Sequence, residues 1–338
     1  MKIGVLGLGF MGRIHLGAYR GIPEAEIVAV ASSDDRKLSG DLGLAKGNLG
    51  PQSDLINFNG VSRYRTAQEL FADRQVEAVD LCVPTYVHAS LAKAALQAGK
   101  HVLVEKPMAL SSEECQIMID VAQKCKKVLM VAHVVRYWPA YVMALNLVRS
   151  GKFGRLKSAF FRRECAAPTW SNWMMDRSKS GGGVFDLLIH DIDYCIHLLG
   201  KPKAIKATGT DDFERYMDHA KAQLIYDSAA SVGVSGGWHL SSTFPLSMGF
   251  SIVCENSKFE FQFPEKSYKL KVYPRDGAME ELSVLDNDAY QAELQAFVNA
   301  CIRGRYADEC PPEDSALAIS VALGMRKSCE LGGVSVVL

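Results

Sequence analysis

Several short motifs in the sequence combine residue types that bind phosphate or move protons. The first is Gly7-Leu8-Gly9-Phe10-Met11-Gly12, which follows an apolar stretch and opens a helical pattern. In a G-x-G-x-x-G turn, Gly7 permits the tight turn, Gly9 lets a pyrophosphate approach the backbone, and Gly12 lets helix and strand pack closely. The helix N-terminus at Phe10 and Met11 then attracts the phosphates. This context favours dinucleotide binding over an ordinary glycine-rich turn.

The residues about 20 positions past the last glycine meet the ribose in such folds and help to select NAD or NADP. Ser32 and Ser33 bring no negative charge to this point, and Arg36 supplies a positive one. Asp34 and Asp35 lie beside them and are able to accept from a ribose hydroxyl instead. The balance slightly favours NADP, and a polar turn with no cofactor contact is the alternative.

Two further groups of residues follow predicted strands. Pro84, Thr85 and His88 come after an apolar run, and Glu105-Lys106-Pro107 comes after the next strand. Because open α/β sheets bind ligands at the carboxyl ends of their strands, we expect both groups to contact the cofactor. A lysine beside a glutamate at the end of a buried strand needs solvent, a partner or a ligand. A helix-capping loop is the alternative for residues 84–88.

The second half of the chain carries one pair of residues suited to acid–base chemistry. Asp186 and His190 stand four residues apart after Gly181-Gly182-Gly183, so both project from one face of a helix. A capping aspartate with a packed histidine is the alternative. Three weaker candidates for substrate contacts each have a structural alternative as a hinge, core or surface residue: Arg136, Trp173 (with Trp170) and Asp193. We find no convincing metal-ligand spacing and predict no metal.

The elements that must position these residues fall into two patterns. Through residue 135, strands predicted at residues 2–6, 26–31, 79–83, 101–104 and 128–131 alternate with helices at 12–20, 66–73, 89–98 and 112–124. This alternation predicts a doubly wound parallel sheet, with residues 40–60 as a surface insertion. A helix is predicted at 183–199, and residues 204–273 show six strands without helices between them, which indicates an antiparallel sheet. We predict an α/β protein with domains 1–135 and 136–338.

Taken together, these motifs resemble the glucose-fructose oxidoreductase/inositol dehydrogenase/MocA (Gfo/Idh/MocA) family. The resemblance is carried by the glycine motif, by Pro84 and His88, by residues 98–107 and by the glycine-led D-x-x-I-H-D-x-D string at residues 181–193. That string is closest to the inositol dehydrogenase branch. The resemblance covers essentially the whole chain. It implies an N-terminal Rossmann domain and a C-terminal α/β domain whose open sheet commonly forms a dimer or tetramer contact.

The resemblance also implies that Lys106, Asp186 and His190 meet beside the nicotinamide. Oxidation of an alcohol removes a proton from oxygen while hydride leaves carbon, and the imidazole of His190 suits that base at neutral pH. Lys106 would stabilise the developing alkoxide, and Asp186 would orient the imidazole or the ammonium group. We therefore predict an NAD(P)-dependent oxidoreductase acting on a secondary alcohol or ketone of a sugar, inositol or related polyol. An NAD-dependent glycosidase of the same fold and a non-catalytic dinucleotide-sensing regulator are the alternatives.

Whole-chain composition agrees with this class of protein. The 338 residues are 48% hydrophobic, enough for two domains with substantial cores. Lys plus Arg equals Asp plus Glu at 38 each, which argues against a surface built for nucleic acid or an anionic membrane. The nine cysteines are odd in number and form no C-x-x-C pair, as expected of thiols in a reducing compartment. The absence of a long apolar run or leader pattern leads us to expect a cytoplasmic protein.

Overall fold

The computed structural model describes residues 1–43, 55–168, 171–210, 218–228, 230–265, 268–284 and 288–338. These residues form two compact units. Unit 1 comprises Met1–His133 and Asp288–Ala316, and unit 2 comprises Val134–Asn287 and Leu317–Leu338. The units differ from the sequence-based division in residues 288–316, which return to unit 1. Most of the predicted insertion, residues 44–54, and Trp170 lie outside the described residues.

The first part of unit 1 alternates strands with helices. Its elements are β1 (Lys2–Leu6), α1 (Phe10–Tyr19), β2 (Glu26–Ala31), α2 (Asp35–Leu38), β3 (Ser62–Tyr64), α3 (Ala67–Ala72), β4 (Ala78–Leu81), α4 (His88–Gln97), β5 (His101–Glu105), α5 (Ser112–Cys125) and β6 (Leu129–Ala132). The strands form one sheet in the order β3-β2-β1-β4-β5-β6. All adjacent pairs are parallel. The predicted doubly wound sheet is confirmed, with β3 as an additional edge strand.

This strand order places the loops that carry the sequence motifs at one edge of the sheet. The order reverses at β1, which lies between β2 and β4. In open α/β sheets the carboxyl ends of the strands on either side of such a reversal flank the ligand crevice. All four residues of β4 and of β6 are buried, because helices cover both faces of a parallel sheet. The loops are therefore held by strands that have little freedom to move.

One buried position of β4 holds a charged residue. Asp80 is fully buried, and its carboxylate accepts a hydrogen bond of 2.8 Å from Nδ1 of His15 in α1. The second ring nitrogen, Nε2, lies 3.2 Å from Oε1 of Glu105 at the end of β5. Burial lowers the pKa of His15, but Asp80 and Cys82 outweigh burial and raise it well above its ordinary value. The two neighbouring carboxyl groups therefore favour the charged form of His15.

The remainder of the chain builds a second sheet and several helices. Its elements are α6 (Pro139–Arg149), β7 (Leu156–Ala166), α7 (Asn172–Met175), α8 (Arg177–Ser180), a π-helical segment (Val184–Leu188), α9 (Ile189–Leu199), β8 (Ala204–Thr210), β9 (His219–Ile225), β10 (Ser231–Leu240), β11 (Ser247–Cys254), β12 (Ser257–Phe263), β13 (Lys269–Pro274), β14 (Glu280–Ser283), α10 (Ala289–Arg303), α11 (Pro312–Glu330) and β15 (Val336–Val337). Helix α10 belongs to unit 1 and packs on α1.

The sheet of unit 2 has nine strands in the order β14-β13-β12-β11-β7-β10-β9-β8-β15. Adjacent strands are antiparallel except β7 and β10, which are parallel. The predicted second, mainly antiparallel sheet is thus confirmed. In the described part of the chain, no helix combines the length and the apolar character needed to cross a bilayer.

The two faces of this sheet differ in burial. Along β7, Phe161, Arg163 and Cys165 are buried, whereas the residues between them are more exposed. On the buried face, Tyr194 of α9 packs edge-on against Tyr141 of α6 with 4.9 Å between ring centroids. Trp238 of β10 packs with Cys165 and Leu187 on the same face. Because Leu187 belongs to the π-helical segment, this cluster fixes that segment against the sheet.

The buried Asp80–His15 pair gives a stability prediction for unit 1. We expect Asp80→Asn to lower the free energy of unfolding by about 3 to 5 kcal/mol at pH 6, because it leaves a buried cation without its main partner. The pKa of His15 is raised in the folded state, so this stabilisation is complete below the unfolded pKa and is lost as pH rises through the folded one. The difference between variant and wild type should shrink in alkaline solution. Urea denaturation at pH 6 and pH 9 measures both effects.

The matched control is Asp308→Asn, which removes an exposed aspartate paired with Arg305 in the same unit. We expect little change in the denaturation midpoint from this control, since exposed ion pairs contribute little. Equal losses in the two variants, or an Asp80→Asn loss independent of pH, would contradict the ion-pair interpretation.

Candidate functional site

The glycine motif after β1 places three glycines in three different environments. Gly7 has φ +97° and a Cβ there would lie 2.2 Å from the carbonyl oxygen of Cys82. At Gly12, a Cβ would lie 2.0 Å from the carbonyl oxygen of Gly7. A Cβ on Gly9, in contrast, would meet no described protein atom within 4 Å, and its φ of −82° suits any residue. The fold therefore demands glycine at positions 7 and 12, whereas position 9 leaves an open space beside the backbone.

That open space lies at the N-terminus of a helix. Gly9 is the N-cap of α1, and no side chain caps this end. Phe10 and Met11, the first two helical residues, are partly exposed. The backbone N–H groups of the first turn and the helix dipole together favour an anion at such a place. The predicted cofactor residues from Gly7 to Gly12 thus fit a pyrophosphate.

The turn after β2 brings two arginines and two aspartates together. Asp34 caps α2 by accepting from the Arg36 N–H at 3.0 Å, and the Ser32 hydroxyl accepts from the Asp34 N–H at 3.2 Å. The Arg36 guanidinium lies 4.0 Å from Asp34 and 3.8 Å from Asp41. Arg65, which follows β3, forms an ion pair with Asp35.

Two of these observations bear on the ribose position. Ser33 and Arg36 are exposed, whereas the carboxylates of Asp34 and Asp35 already have partners. Sequence analysis did not predict Arg65. The sequence gives only a weak signal that Arg65 lies near the β2 turn, because β3 has only three residues and pairs with β2 across a long distance in sequence.

The loops after β4 and β5 are joined by His88. Its ring is fully buried, with Nδ1 2.9 Å from the carbonyl oxygen of Pro107 and Nε2 2.8 Å from that of Val83. Burial lowers the pKa of His88. Pro84 and Thr85 lie in the turn that this ring holds. Both nitrogens of His88 face backbone oxygens, so its side chain positions the two loops. The predicted contact of this side chain with the cofactor is not supported, because the ring is fully buried.

Glu105 and Lys106 differ in their burial and in their hydrogen-bond partners. One carboxyl oxygen of Glu105 accepts from the Lys106 N–H at 3.1 Å, and the other lies 3.2 Å from His15. Glu105 is buried, whereas Lys106 is partly exposed. The predicted cofactor residue Glu105 is therefore anchored within unit 1, and it holds the backbone from which Lys106 projects.

In unit 2, the glycine-led helix begins with two left-handed residues. Gly181 has φ +76° and a Cβ there would lie 2.7 Å from the Phe185 ring, and Gly182 has φ +79°. The chain then enters the π-helical segment Val184–Leu188 and continues into α9. The predicted helix at 183–199 is thus present, with a π-helical first turn. Single π-turns inside helices occur frequently at functional sites.

Burial along this helix singles out two side chains. From Gly181 to Ile196, every residue is buried except Asp186 and His190. Asp186 lies in the π-helical segment and His190 near the start of α9. The pair that the sequence proposed for acid–base chemistry therefore consists of the two positions in this stretch that retain solvent access.

The other two acids of this helix are used to hold it in place. Asp191 accepts two hydrogen bonds of 3.0 Å from the Arg163 guanidinium, and Asp193 accepts two of 2.7 Å from that of Arg136. The Arg136 and Asp193 side chains are both fully buried. Sequence analysis proposed these two residues as substrate contacts. That interpretation is corrected here, because the two side chains bind each other and are closed to solvent.

The remaining sequence candidate in this unit is Trp173. It lies in the short helix α7, half-buried, next to Met174, which packs on the cluster of Trp238 and Leu187. Trp170 lies outside the described residues. Unit 2 thus offers an accessible imidazole and carboxylate on a rigid helix, which can accept and donate protons. Unit 1 offers an anion site at a helix N-terminus and a lysine beside it along the same sheet edge.

Two domain models of one family match the chain. The oxidoreductase family with an NAD-binding Rossmann fold (Gfo/Idh/MocA) matches residues 1–133. The Gfo/Idh/MocA C-terminal domain matches residues 141–260. The N-terminal match assigns an NAD(P)-binding Rossmann domain, in agreement with the geometry of the glycine motif.

Several dehydrogenases are similar in sequence. Inositol 2-dehydrogenase of Rhizobium meliloti is 30% identical over 211 residues, covering 62% of this chain and 58% of the relative. Levoglucosan dehydrogenase of Pseudarthrobacter phenanthrenivorans is 29% identical over 61% of this chain, which spans only 53% of the relative. D-xylose 1-dehydrogenase (NADP(+)) 2 of Haloferax volcanii is 25% identical over 93% of each chain.

Solved structures share the fold over the whole chain. UDP-N-acetylglucosamine 3-dehydrogenase from Acidithiobacillus ferrooxidans superposes with a TM-score of 0.79 at 25% identity, covering 98% of both chains. Levoglucosan dehydrogenase in complex with NADH and levoglucosan gives 0.86 at 20% identity, covering 100% of this chain and 99% of the other.

The contrast between Gly9 and Gly12 gives a prediction about cofactor binding. We expect Gly9→Val to fold like wild type, because its Cβ meets no described protein atom, and to bind NADH about tenfold or more weakly, because the new side chain occupies the path of the pyrophosphate. Gly12→Val should instead lower the thermal midpoint, because its Cβ collides with the Gly7 carbonyl. Nicotinamide fluorescence titration and thermal unfolding separate the two effects. Unchanged NADH binding by Gly9→Val would show that the open space does not receive the cofactor.

Proposed function

The chain belongs to the Gfo/Idh/MocA oxidoreductase family, and we propose that it transfers hydride between NAD(P) and a secondary alcohol or ketone of a sugar, inositol or related polyol. One observation carries the proposal: from Gly181 to Ile196 along the glycine-led helix, only Asp186 and His190 are not buried. A helical stretch in which an imidazole and a carboxylate stay accessible while the residues around them are buried is suited to proton transfer. Relatives named as dehydrogenases of inositol, levoglucosan and xylose support the substrate class.

We assign the cofactor to the strand ends of unit 1. The N-terminus of α1, beginning at Phe10 and Met11, would bind the pyrophosphate, and the turn after β2 would bind the ribose. Pro84 and Thr85 would lie along the dinucleotide, held by the fully buried His88. When bound, the nicotinamide supplies or accepts the hydride. The protein contributes position and proton transfer.

We assign the proton chemistry to three side chains. His190 takes the hydroxyl proton during oxidation and returns it during reduction, as suits an imidazole near neutral pH. Lys106 donates a hydrogen bond to the same substrate oxygen and stabilises its developing negative charge. Asp186 orients the imidazole or the ammonium group. Glu105, anchored by His15, fixes the backbone that presents Lys106.

We propose NADP as the preferred cofactor by a small margin. Ser33 and Arg36 are exposed at the end of β2, and Arg65 adds a second guanidinium. A 2′-phosphate would gain charge-assisted hydrogen bonds from this group. The aspartates of the turn already serve as a helix cap and as the partner of Arg65.

We further propose a homodimer or homotetramer formed through the nine-stranded sheet and a cytoplasmic location. The outward face of that sheet exposes large apolar side chains, with Phe160 39% and Ile225 and Tyr273 each 36% exposed. Exposed apolar patches of this kind mark protein contacts. All nine cysteines are free thiols, as suits a reducing compartment.

The catalytic assignment predicts the effect of removing the imidazole. A screen of sugars, inositols and their keto forms with both cofactors identifies the substrate. On that substrate we expect His190→Ala to reduce kcat by about 10²- to 10⁴-fold, the usual contribution of a general base. NADH and NADPH binding should be largely unchanged, because the pyrophosphate and ribose are assigned to α1 and the β2 turn and not to His190. Lys106→Ala should also reduce kcat strongly.

The matched control is His197→Gln, which removes a half-buried imidazole from the same helix at a site bound to Arg136. We expect this variant to keep most of the turnover. If His190→Ala retains wild-type turnover while binding cofactor, the base is another group and the proposed mechanism is wrong.

The cofactor assignment is tested separately by two variants of the β2 turn. Arg36→Ala should weaken NADPH binding about tenfold and leave NADH binding unchanged, because only the 2′-phosphate meets the guanidinium. Ser33→Asp should lower the preference for NADPH further, since its carboxylate repels that phosphate. Lys37→Ala, which removes the neighbouring positive charge, is the control. A strong preference of the wild-type protein for NADH would overturn the assignment.

A further inference from the structure

Three potential metal ligands lie on neighbouring strands of the nine-stranded sheet, away from the helix that carries Asp186 and His190. They are Glu164 of β7, His219 of β9 and His239 of β10. The register explains their proximity: Gly237 of β10 pairs with Glu164 on one side and with His219 on the other. His239 follows two residues later on the central strand.

The three side chains share the outward face of the sheet. Glu164 and His219 are chain neighbours of Cys165 and Ala220 on the buried face, and successive residues of a strand point to opposite faces. His239 lies where the register of β10 with β7 shifts, between Gly237 and Leu240, and its ligand atom lies within 4.8 Å of those of the other two residues. Gly237, between them, has φ +146°, and a Cβ there would lie 1.9 Å from the Asp218 carbonyl oxygen. This position therefore carries no side chain, and the two flanking side chains can approach each other above it.

The distances within this cluster suit a shared ion. Nε2 of His239 lies 3.9 Å from Oε1 of Glu164, and the rings of His219 and His239 have centroids 4.3 Å apart. One ligand atom from each of the three residues lies within 4.8 Å of the others. Two ligands bound to zinc at about 2.0–2.2 Å with tetrahedral angles are about 3.3 Å apart. Small side-chain rotations therefore suffice to close the set around an ion.

The environment of each group also suits a metal. The side chains of His239 and Glu164 are 23% and 16% exposed, so they are partly removed from water but still reachable. Arg162 lies 3.4 Å from the second oxygen of Glu164, which leaves Oε1 directed towards His239. Such outer contacts orient metal-binding carboxylates.

The chemistry of the donors selects the class of ion. Two imidazoles and one carboxylate suit zinc and other first-row transition metals, whereas calcium and magnesium prefer sites built from oxygen. A second group, His15, Asp80 and Cys82, is less suited. His15 and Asp80 are fully buried and already bind each other, and burial raises the pKa of the Cys82 thiol.

We propose that Glu164, His219 and His239 form a binding site for one zinc or similar transition-metal ion on the outward face of the sheet. The ion would join β7, β9 and β10, and the three residues leave at least one coordination position for a further ligand. The proposal is independent of the catalytic assignment, because it uses none of its residues.

The test uses the full-length protein, freed of metal by chelator and titrated with Zn²⁺ by calorimetry. We expect one ion per chain and a rise in the thermal midpoint, since a ligand that binds the folded state stabilises it. Glu164→Gln and His219→Gln should each weaken Zn²⁺ binding by at least about tenfold, because even outer-shell changes commonly cost that much. Glu260→Gln, a carboxylate on the same sheet in β12, is the matched control and should bind like wild type.

Cobalt(II) gives a second readout that identifies the donors. Nitrogen and oxygen ligands produce visible ligand-field bands without a cobalt–thiolate charge-transfer band, so a thiolate signal would show that cysteines bind the ion and would overturn the proposal. Zn²⁺ affinity unchanged in both Glu164→Gln and His219→Gln would overturn it as well. Circular dichroism verifies that each variant is folded, and loss of binding in a folded variant together with normal binding by Glu260→Gln supports the site.

Discussion

The buried carboxylate of Asp80 is the constraint on which the arrangement of unit 1 depends. A charge inside a parallel strand covered on both faces is stable only with a partner, and α1 supplies that partner as His15. The same imidazole reaches Glu105, whose second oxygen holds the backbone of Lys106. One chain of contacts therefore ties the helix behind the glycine motif to the ends of β4 and β5. The partners that satisfy the buried charge of Asp80 thus fix α1, β4 and β5, which border the dinucleotide site, relative to one another.

Unit 2 uses the same principle to orient a helix. The string Asp186, His190, Asp191, Asp193 puts four titratable groups within two turns. Bidentate pairing of Asp191 with Arg163 and of Asp193 with Arg136 directs those two acids inward. With both pairs formed, Asp186 and His190 are left on the accessible side. The arginines thus determine which side chains of the helix stay accessible, namely the two to which we assign proton transfer.

Local patterns in the sequence were sufficient for the fold class, the order of most elements and the glycine-led helix, because periodicity and glycine spacing are properties of neighbouring residues. Contacts distant in sequence were not predictable in this way. The Arg136–Asp193 pair joins residues 57 positions apart, so nothing in the local sequence pairs them and each resembles an unpartnered substrate contact. Asp80 lies within the otherwise apolar run 79–83, which the sequence analysis treats as a buried strand. A charged residue at such a position already indicates that a buried partner must be present. The return of residues 288–316 to unit 1 has no local signature at all.

The same side-chain chemistry serves three purposes in this chain, and burial distinguishes them. His15 is fully buried between carboxyl groups that raise its pKa, so its imidazole is closed to a substrate. His190 keeps solvent access on a rigid helix, which is what a proton carrier needs. His219 and His239 are partly buried beside Glu164, close enough to share the ion that we propose there. Residue type alone does not distinguish these histidines. The roles that we propose for them differ because the fold gives each a different burial and different neighbours.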